Sequence, residues 1–155
     1  MPVIRRPRPE EAEAVAECLR RSIVELCHAD HGGDPDKYTP WIANKTAENM
    51  VRWMDQAEGF LIAEDGAGGV AAVALASGAG EIHLNYVHPE HRFKGYSRAL
   101  MRELETWVRD LGHTRIRLNS TQTAKTFYLA LGYREDGESF EQGGMHFLRL
   151  AKDLT

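Results

Sequence analysis

The stretch Val87-His88-Pro89-Glu90-His91-Arg92-Phe93-Lys94-Gly95-Tyr96-Ser97 joins an apolar, alternating run to a long amphipathic one. Pro89 has no N–H for a strand ladder and ends the strand before it. Gly95 permits a backbone conformation, or a close approach, that a side chain would block. A helix opening at Ser97 presents unpaired N–H groups and the positive end of its dipole. Strand, glycine-containing turn and helix start together form a cradle for an anion such as a phosphate. Arg92 and Lys94 add positive charge beside it. An ordinary strand-to-helix turn with solvated basic residues has the same spacing, so this segment alone leaves both readings open.

The run before it, Glu81 to Val87, reads as a strand. In a regular strand Glu81, His83 and Asn85 share one face, opposite Ile82, Leu84 and Tyr86. Three polar side chains on one face of a central strand suit a wet substrate cleft. The alternative is that Glu81 caps the strand in solvent while His83 and Asn85 make structural hydrogen bonds. Other chemistries lack their context. His28-Ala29-Asp30-His31 with Asp34 and Asp36 fits no standard zinc or calcium spacing, and no metal is expected. The segment Gly66-Ala67-Gly68-Gly69-Val70-Ala71 formally fits G-x-G-x-x-A but lies in a hairpin turn before a strand. No G-x-x-x-x-G-K-[ST] occurs, because Lys94 precedes Gly95, and no G-x-S-x-G marks a serine hydrolase. Cys18 and Cys27 stand on one predicted helix, about 13 Å apart at its rise, which predicts two free, packing thiols and no disulfide.

The elements that position these residues follow from hydrophobic period. Val3 to Arg5 predicts a short strand. Ala12, Val15, Ala16, Leu19, Ile23 and Leu26 form one apolar stripe of a helix running from Pro9 to near Ala29. His31 to Trp41, with two glycines and two prolines, predicts a loop. Thr46 predicts the N-cap of a second helix carrying Met50, Trp53 and Met54. Strands follow at Phe60–Ala63, Val70–Ala76 and Glu81–Val87, then a helix at Ser97–Leu111. A strand at Arg115–Leu118, a short helix at Ala124–Leu131 stopped by Gly132, and strands at Tyr133–Arg134 and Met145–Leu150 complete the chain. The order is β-α-α-β-β-β-α-β-α-β-β. It predicts an α/β (α+β) fold with a mixed, mostly antiparallel central sheet flanked by helices.

With 155 residues, ordinary composition and no linker or repeat, the chain predicts one domain spanning 1–155. Its formal net charge of -4 argues against nonspecific nucleic-acid binding, which needs Lys and Arg on phosphates. No run approaches a membrane span, and the charged N-terminal segment is no signal core, so a cytoplasmic protein is expected with no membrane partner.

Val87-x-Pro89-x-x-Arg92-x-x-Gly95-x-Ser97 resembles motif A of the GNAT superfamily of N-acetyltransferases, V-x-P-x-x-[RQ]-x-x-G-x-[GA]. Ala124-x-x-Phe127-Tyr128-x-x-x-Gly132-Tyr133 is similar to its motif B, A-x-x-[LF]-Y-x-x-x-G-[FY]. The motifs stand in the family's order with a long helix between them, and the element order fits over essentially the full length. Ser97 departs from the preferred Gly or Ala but keeps its N–H. Thr121 stands where many members have Asn.

The resemblance implies an enzyme that binds acetyl-CoA and passes acetyl directly to a primary amine. It implies that the backbone of Arg92, Phe93, Lys94, Gly95, Tyr96 and Ser97 holds the pyrophosphate. The backbone at Tyr86 and Val87, often splayed by a β-bulge, pairs with the pantetheine arm, and Thr121, Ala124 and Phe127 line the other side. Tyr128 takes the place of the family's general acid and Glu81 that of a general base in some members. His83 and Asn85 fall to the acceptor side. The region between the first helices often walls the acceptor site. There Asp30, with Asp34 and Asp36, and the aromatic Trp41, with Tyr38, suit a cationic acceptor. The Glu138–Gly144 loop, rich in glycine, is placed to close over it. Dimers are common in the family. A non-catalytic acyl-CoA-binding module on the same fold, or transfer of another acyl group such as succinyl, would carry the same motifs.

Overall fold

The computed structural model describes residues 2–155. The chain begins with strand β1 (Ile4–Arg5) and a 3-10 turn at Pro9–Glu11, then α1 (Ala12–Leu26), α2 (His28–His31), α3 (Pro35–Ile42) and α4 (Ala47–Gln56). Strands β2 (Gly59–Glu64), β3 (Val70–Ala76) and β4 (Glu81–Val87) lead through a 3-10 turn at Pro89–His91 into α5 (Tyr96–Asp110). Then come β5 (Arg115–Ser120), α6 (Lys125–Ala130), β6 (Arg134–Glu135), β7 (Phe140–Gln142) and β8 (Met145–Asp153). The sheet order is β1-β2-β3-β4-β5-β8-β6, with β7 paired to β8. All pairings are antiparallel except β4 with β5. This is the predicted mixed, mostly antiparallel sheet.

β3 is buried at every position because helices cover both faces of the sheet at its centre. Val73 and Leu75 pack with Leu19, Met50 and Phe60 beneath α1 and α4. Ala72, Ala74 and Ala76 face the other way, against Leu100, Leu104 and Val108 of α5. Small alanines there let the helix lie close to the strand, as interior packing density demands.

Three expectations change. The long first helix breaks at Cys27, where Asp30 and His31 N–H both return to the Cys27 carbonyl. The His31 ring then bonds the Ile23 carbonyl at 2.7 Å, which turns Asp30 inward. The predicted His31–Trp41 loop contains α3. Its Pro35 occupies the first helical position, where a missing N–H costs nothing, and Asp34 caps it by accepting the Asp36 N–H at 3.0 Å. The Glu138–Gly144 segment is a hairpin rather than a free loop. β7 pairs with β8, and the Phe140 and Phe147 rings stack at 5.5 Å. Thr46 caps α4 as its sequence position predicts, accepting the Asn49 N–H at 3.2 Å.

Candidate active site

β4 and β5 are held together only at Glu81–Arg117 and Ile82–Leu118. Beyond that point β4 stays on β3 as far as Val87, while β5 stays on β8 as far as Ser120. The two strands part, and the edge of β4 from Asn85 to Val87 faces an opening instead of a neighbour. A cleft of about 340 Å³ fills it. Tyr86 and Val87 line one side, Thr121, Ala124 and Phe127 the other, and the turn residues Arg92, Phe93, Gly95, Tyr96 and Ser97 the mouth. Ser22, Leu26 and Cys27 add a wall that the sequence reading did not assign. Leu26 read as part of the helix's apolar stripe and Cys27 as a packing thiol.

The turn explains the mouth. Gly95 has φ +83 and caps α5, a left-handed conformation that favours glycine, and open space lies where a Cβ would point. The first helical bond into this end runs from Ala99 N–H to the Gly95 carbonyl at 3.1 Å. The N–H groups of Tyr96, Ser97 and Arg98 therefore have no partner within the helix. Phe93 also has positive φ, 64°, and its ring is 92% exposed beneath the Arg92 guanidinium at 4.5 Å. The Lys94 side chain lines a separate pocket with Val3, Glu64 and Tyr96 and not the cleft, so only its backbone and its charge stay beside the turn. His88 and His91, read as surface residues, are partly buried, and His91 lines the cleft.

At its inner end the opening narrows to about 40 Å³ between His83, Asn85, Leu118 and Tyr128. Tyr128 is 5% exposed, and its hydroxyl accepts from the Asn85 amide Nδ2 at 3.1 Å. Burial pushes the phenol up to about 12, with the Asn85 hydrogen bond acting in the opposite direction. Because Asn85 donates, the Tyr128 proton is free to point elsewhere. The Asn85 Oδ1 atom is buried without a partner. Two polar groups, the Tyr128 hydroxyl and the Asn85 side-chain carbonyl, thus stand at the inner end of the cleft.

A family profile for the acetyltransferase (GNAT) domain matches residues 27–154. The chain belongs to the GNAT acetyltransferase family. It is 34% identical over 97 residues to N-acetyltransferase 8 of Rattus norvegicus, a match covering 56% of this chain and 44% of that protein. The chain thus spans less than half the length of that relative. The fold is that of a GCN5-related N-acetyltransferase from Rhodopseudomonas palustris (TM-score 0.87, 21% identity, 99% of this chain and 96% of that one). It is also that of the PaiA N-acetyltransferase of Thermoplasma acidophilum, solved in complex with coenzyme A (TM-score 0.80, 19% identity, 99% of each chain).

Within this GNAT fold the acceptor-side residues fall differently from a regular strand. Leu75 pairs with Leu84 but Ala76 pairs with Ile82, so His83 is an extra residue in β4. The bulge lies at His83 and not at Tyr86–Val87, whose pairing with β3 is regular. It also breaks the predicted single polar face. Ile82 joins the core under α5, whereas Leu84 and Tyr86 join the core under α1 and α4. Glu81 is exposed at the strand start and lies 3.9 Å from the His83 ring. His83, not Glu81, lines the narrow end with Tyr128.

Asp30 is not offered to an acceptor. Its carboxylate, 9% exposed, accepts from Gln122 N–H at 2.6 Å, Thr123 N–H at 3.2 Å and Thr123 Oγ1 at 2.5 Å. It braces the turn that starts α6, and Thr121 Oγ1 completes that turn by accepting the Ala124 N–H at 3.2 Å. Trp41, partly buried, stands edge-on to Tyr86 at 6.5 Å and to His31 at 6.3 Å and does not line the cleft. Burial pushes the Tyr86 phenol well above its usual range. Among the described residues no group of three or more His, Cys, Asp or Glu converges as a metal site.

Proposed function

We propose that this protein transfers an acetyl group from acetyl-CoA directly to a primary amine. The observation that carries this reading is the parting of β4 from β5 directly beside the Gly95 turn. Free N–H groups at the start of α5 suit a pyrophosphate. The unpaired edge of Asn85–Val87 suits the amides of a pantetheine arm.

In this reading the amine arrives as an ammonium and loses a proton to His83, which the Glu81 carboxylate backs. The amine lone pair attacks the thioester carbonyl, and main-chain N–H groups of β4 stabilise the developing oxyanion. As the C–S bond breaks, Tyr128 donates its proton toward the departing sulfur. The second amine proton then restores Tyr128, leaving an amide, a thiol and one proton released to solvent. Burial holds Tyr128 protonated at neutral pH, as a donor requires.

The test is calorimetric titration with coenzyme A, followed by thiol release from acetyl-CoA across a panel of amines. Binding with turnover on at least one amine class is expected. No heat and no thermal protection by coenzyme A would overturn the reading.

A further inference from the structure

A second cavity, about 880 Å³, lies at the foot of β4 between the C-terminal ends of α4 and α5. Asn44, Lys45, Trp53, Gln56, Ser77 and His83 are among its walls. Lys45 is 7% exposed. Its ammonium donates to Asn44 Oδ1 at 2.7 Å and lies 6.0 Å over the Trp53 ring. Among the described residues no carboxylate comes within 4.0 Å of it; Glu58 lines the same cavity without pairing. Burial lowers its pKa to about 8. Ser77 Oγ, on another wall, is buried with no hydrogen-bond partner.

A buried cation without a counter-charge and a buried hydroxyl without an acceptor both call for an anion. Two tryptophans, Trp53 and Trp107, give the cavity apolar walls. His83 and Leu84 line this cavity and also the narrow end of the cleft that holds Tyr128. The cavity and the narrow end therefore share the His83–Leu84 wall, beside which the acetyl-transfer reading places the reacting carbonyl.

We propose that this cavity is the acceptor site and that Lys45, helped by Ser77, selects amines that carry a carboxylate, as amino acids and short peptides do. The proposal rests on the acetyl-transfer reading and reverses the cationic acceptor suggested by the acidic 30–36 segment, whose Asp30 is bonded inside the protein.

The test compares kcat/KM for phenylalanine with phenylalaninamide, and for alanyl-phenylalanine with its C-terminal amide. The amide of an amino acid has the less basic amine, so a preference for the acid cannot arise from easier deprotonation. The acid is favoured by about thirtyfold, as expected for a buried charge-assisted hydrogen bond. Lys45→Met brings the ratio near one, and Ser77→Ala lowers it severalfold should the first variant fail to fold. No preference in either pair, or a preference that survives Lys45→Met, overturns the proposal. Thermal shift with N-acetylphenylalanine and its amide, without coenzyme A, separates the two readings. Coenzyme A binding without acid-selective protection sinks the carboxylate site alone. Acid-selective protection without coenzyme A binding sinks the acetyl-transfer reading and leaves the site standing.

Discussion

The two cavities meet at His83 and are built from different materials. The cleft between β4 and β5 relies on main chain: an unpaired strand edge, a left-handed Gly95 and the open first turn of α5. Its side chains matter less, and Phe93 can point into solvent without disturbing it. The cavity at the foot of β4 relies on side chains from the α3–α4 connection, the β3–β4 turn and the end of α5. In the proposed reading, backbone contacts hold the cosubstrate and side-chain contacts choose the acceptor, which a single substitution can change.

Four changes test that division. The largest effect is expected from Tyr128→Phe. Loss of a general acid lowers kcat by about a hundredfold or more, while coenzyme A affinity by calorimetry moves less than about threefold. Equal turnover would remove Tyr128 from the chemistry. Asp30→Ala, which strips three hydrogen bonds from the turn before α6, should cost about 2–3 kcal/mol in urea unfolding. Coenzyme A affinity should fall with it, because Thr121 and Ala124 line the cleft.

Lys45→Met works in the opposite direction. Replacing an unpaired buried cation with an apolar chain should stabilise the protein by about 1 kcal/mol, or roughly 2–4 °C in Tm. The pH dependence has a definite sign. The folded-state ammonium titrates at about 8 and the unfolded one near 10.5. Between those values the unfolded chain binds more protons, so the wild type gains stability as pH rises. Below pH 8 the penalty is constant. The Tm gap between variant and wild type should therefore shrink from pH 8 to 10.5, and a constant gap would mean that Lys45 is not a buried charge. The smallest effect belongs to Thr121→Ala, about 0.5–1 kcal/mol for one lost hydroxyl-to-backbone bond, read by the same urea titration.

Much of the cleft was legible because its determinants are local. Pro89, Gly95 and the amphipathic run after it specify a strand end, a turn and a helix start within eleven residues. The Thr46 cap and the apolar runs of β2 and β3 were readable for the same reason. Pro35 misled because a proline that opens a helix and one that breaks a chain look alike until the cap at Asp34 is seen. The bulge at His83 had no sign in the alternating letters, since strand register is a property of two strands.

Sequence alone carried the motifs that resemble the family, and its hydrophobic period and glycine and proline positions specified the sheet-and-helix architecture and the strand–turn–helix at Gly95, because such signals act between near neighbours. Only tertiary structure decided that Asp30 braces a turn some ninety residues away, that Lys94 turns from the cleft while Lys45 enters a cavity, and that β4 parts from β5. Those outcomes depend on which surfaces meet when the sheet closes, and desolvation and pairing at such contacts give a side chain its charge state and its partner.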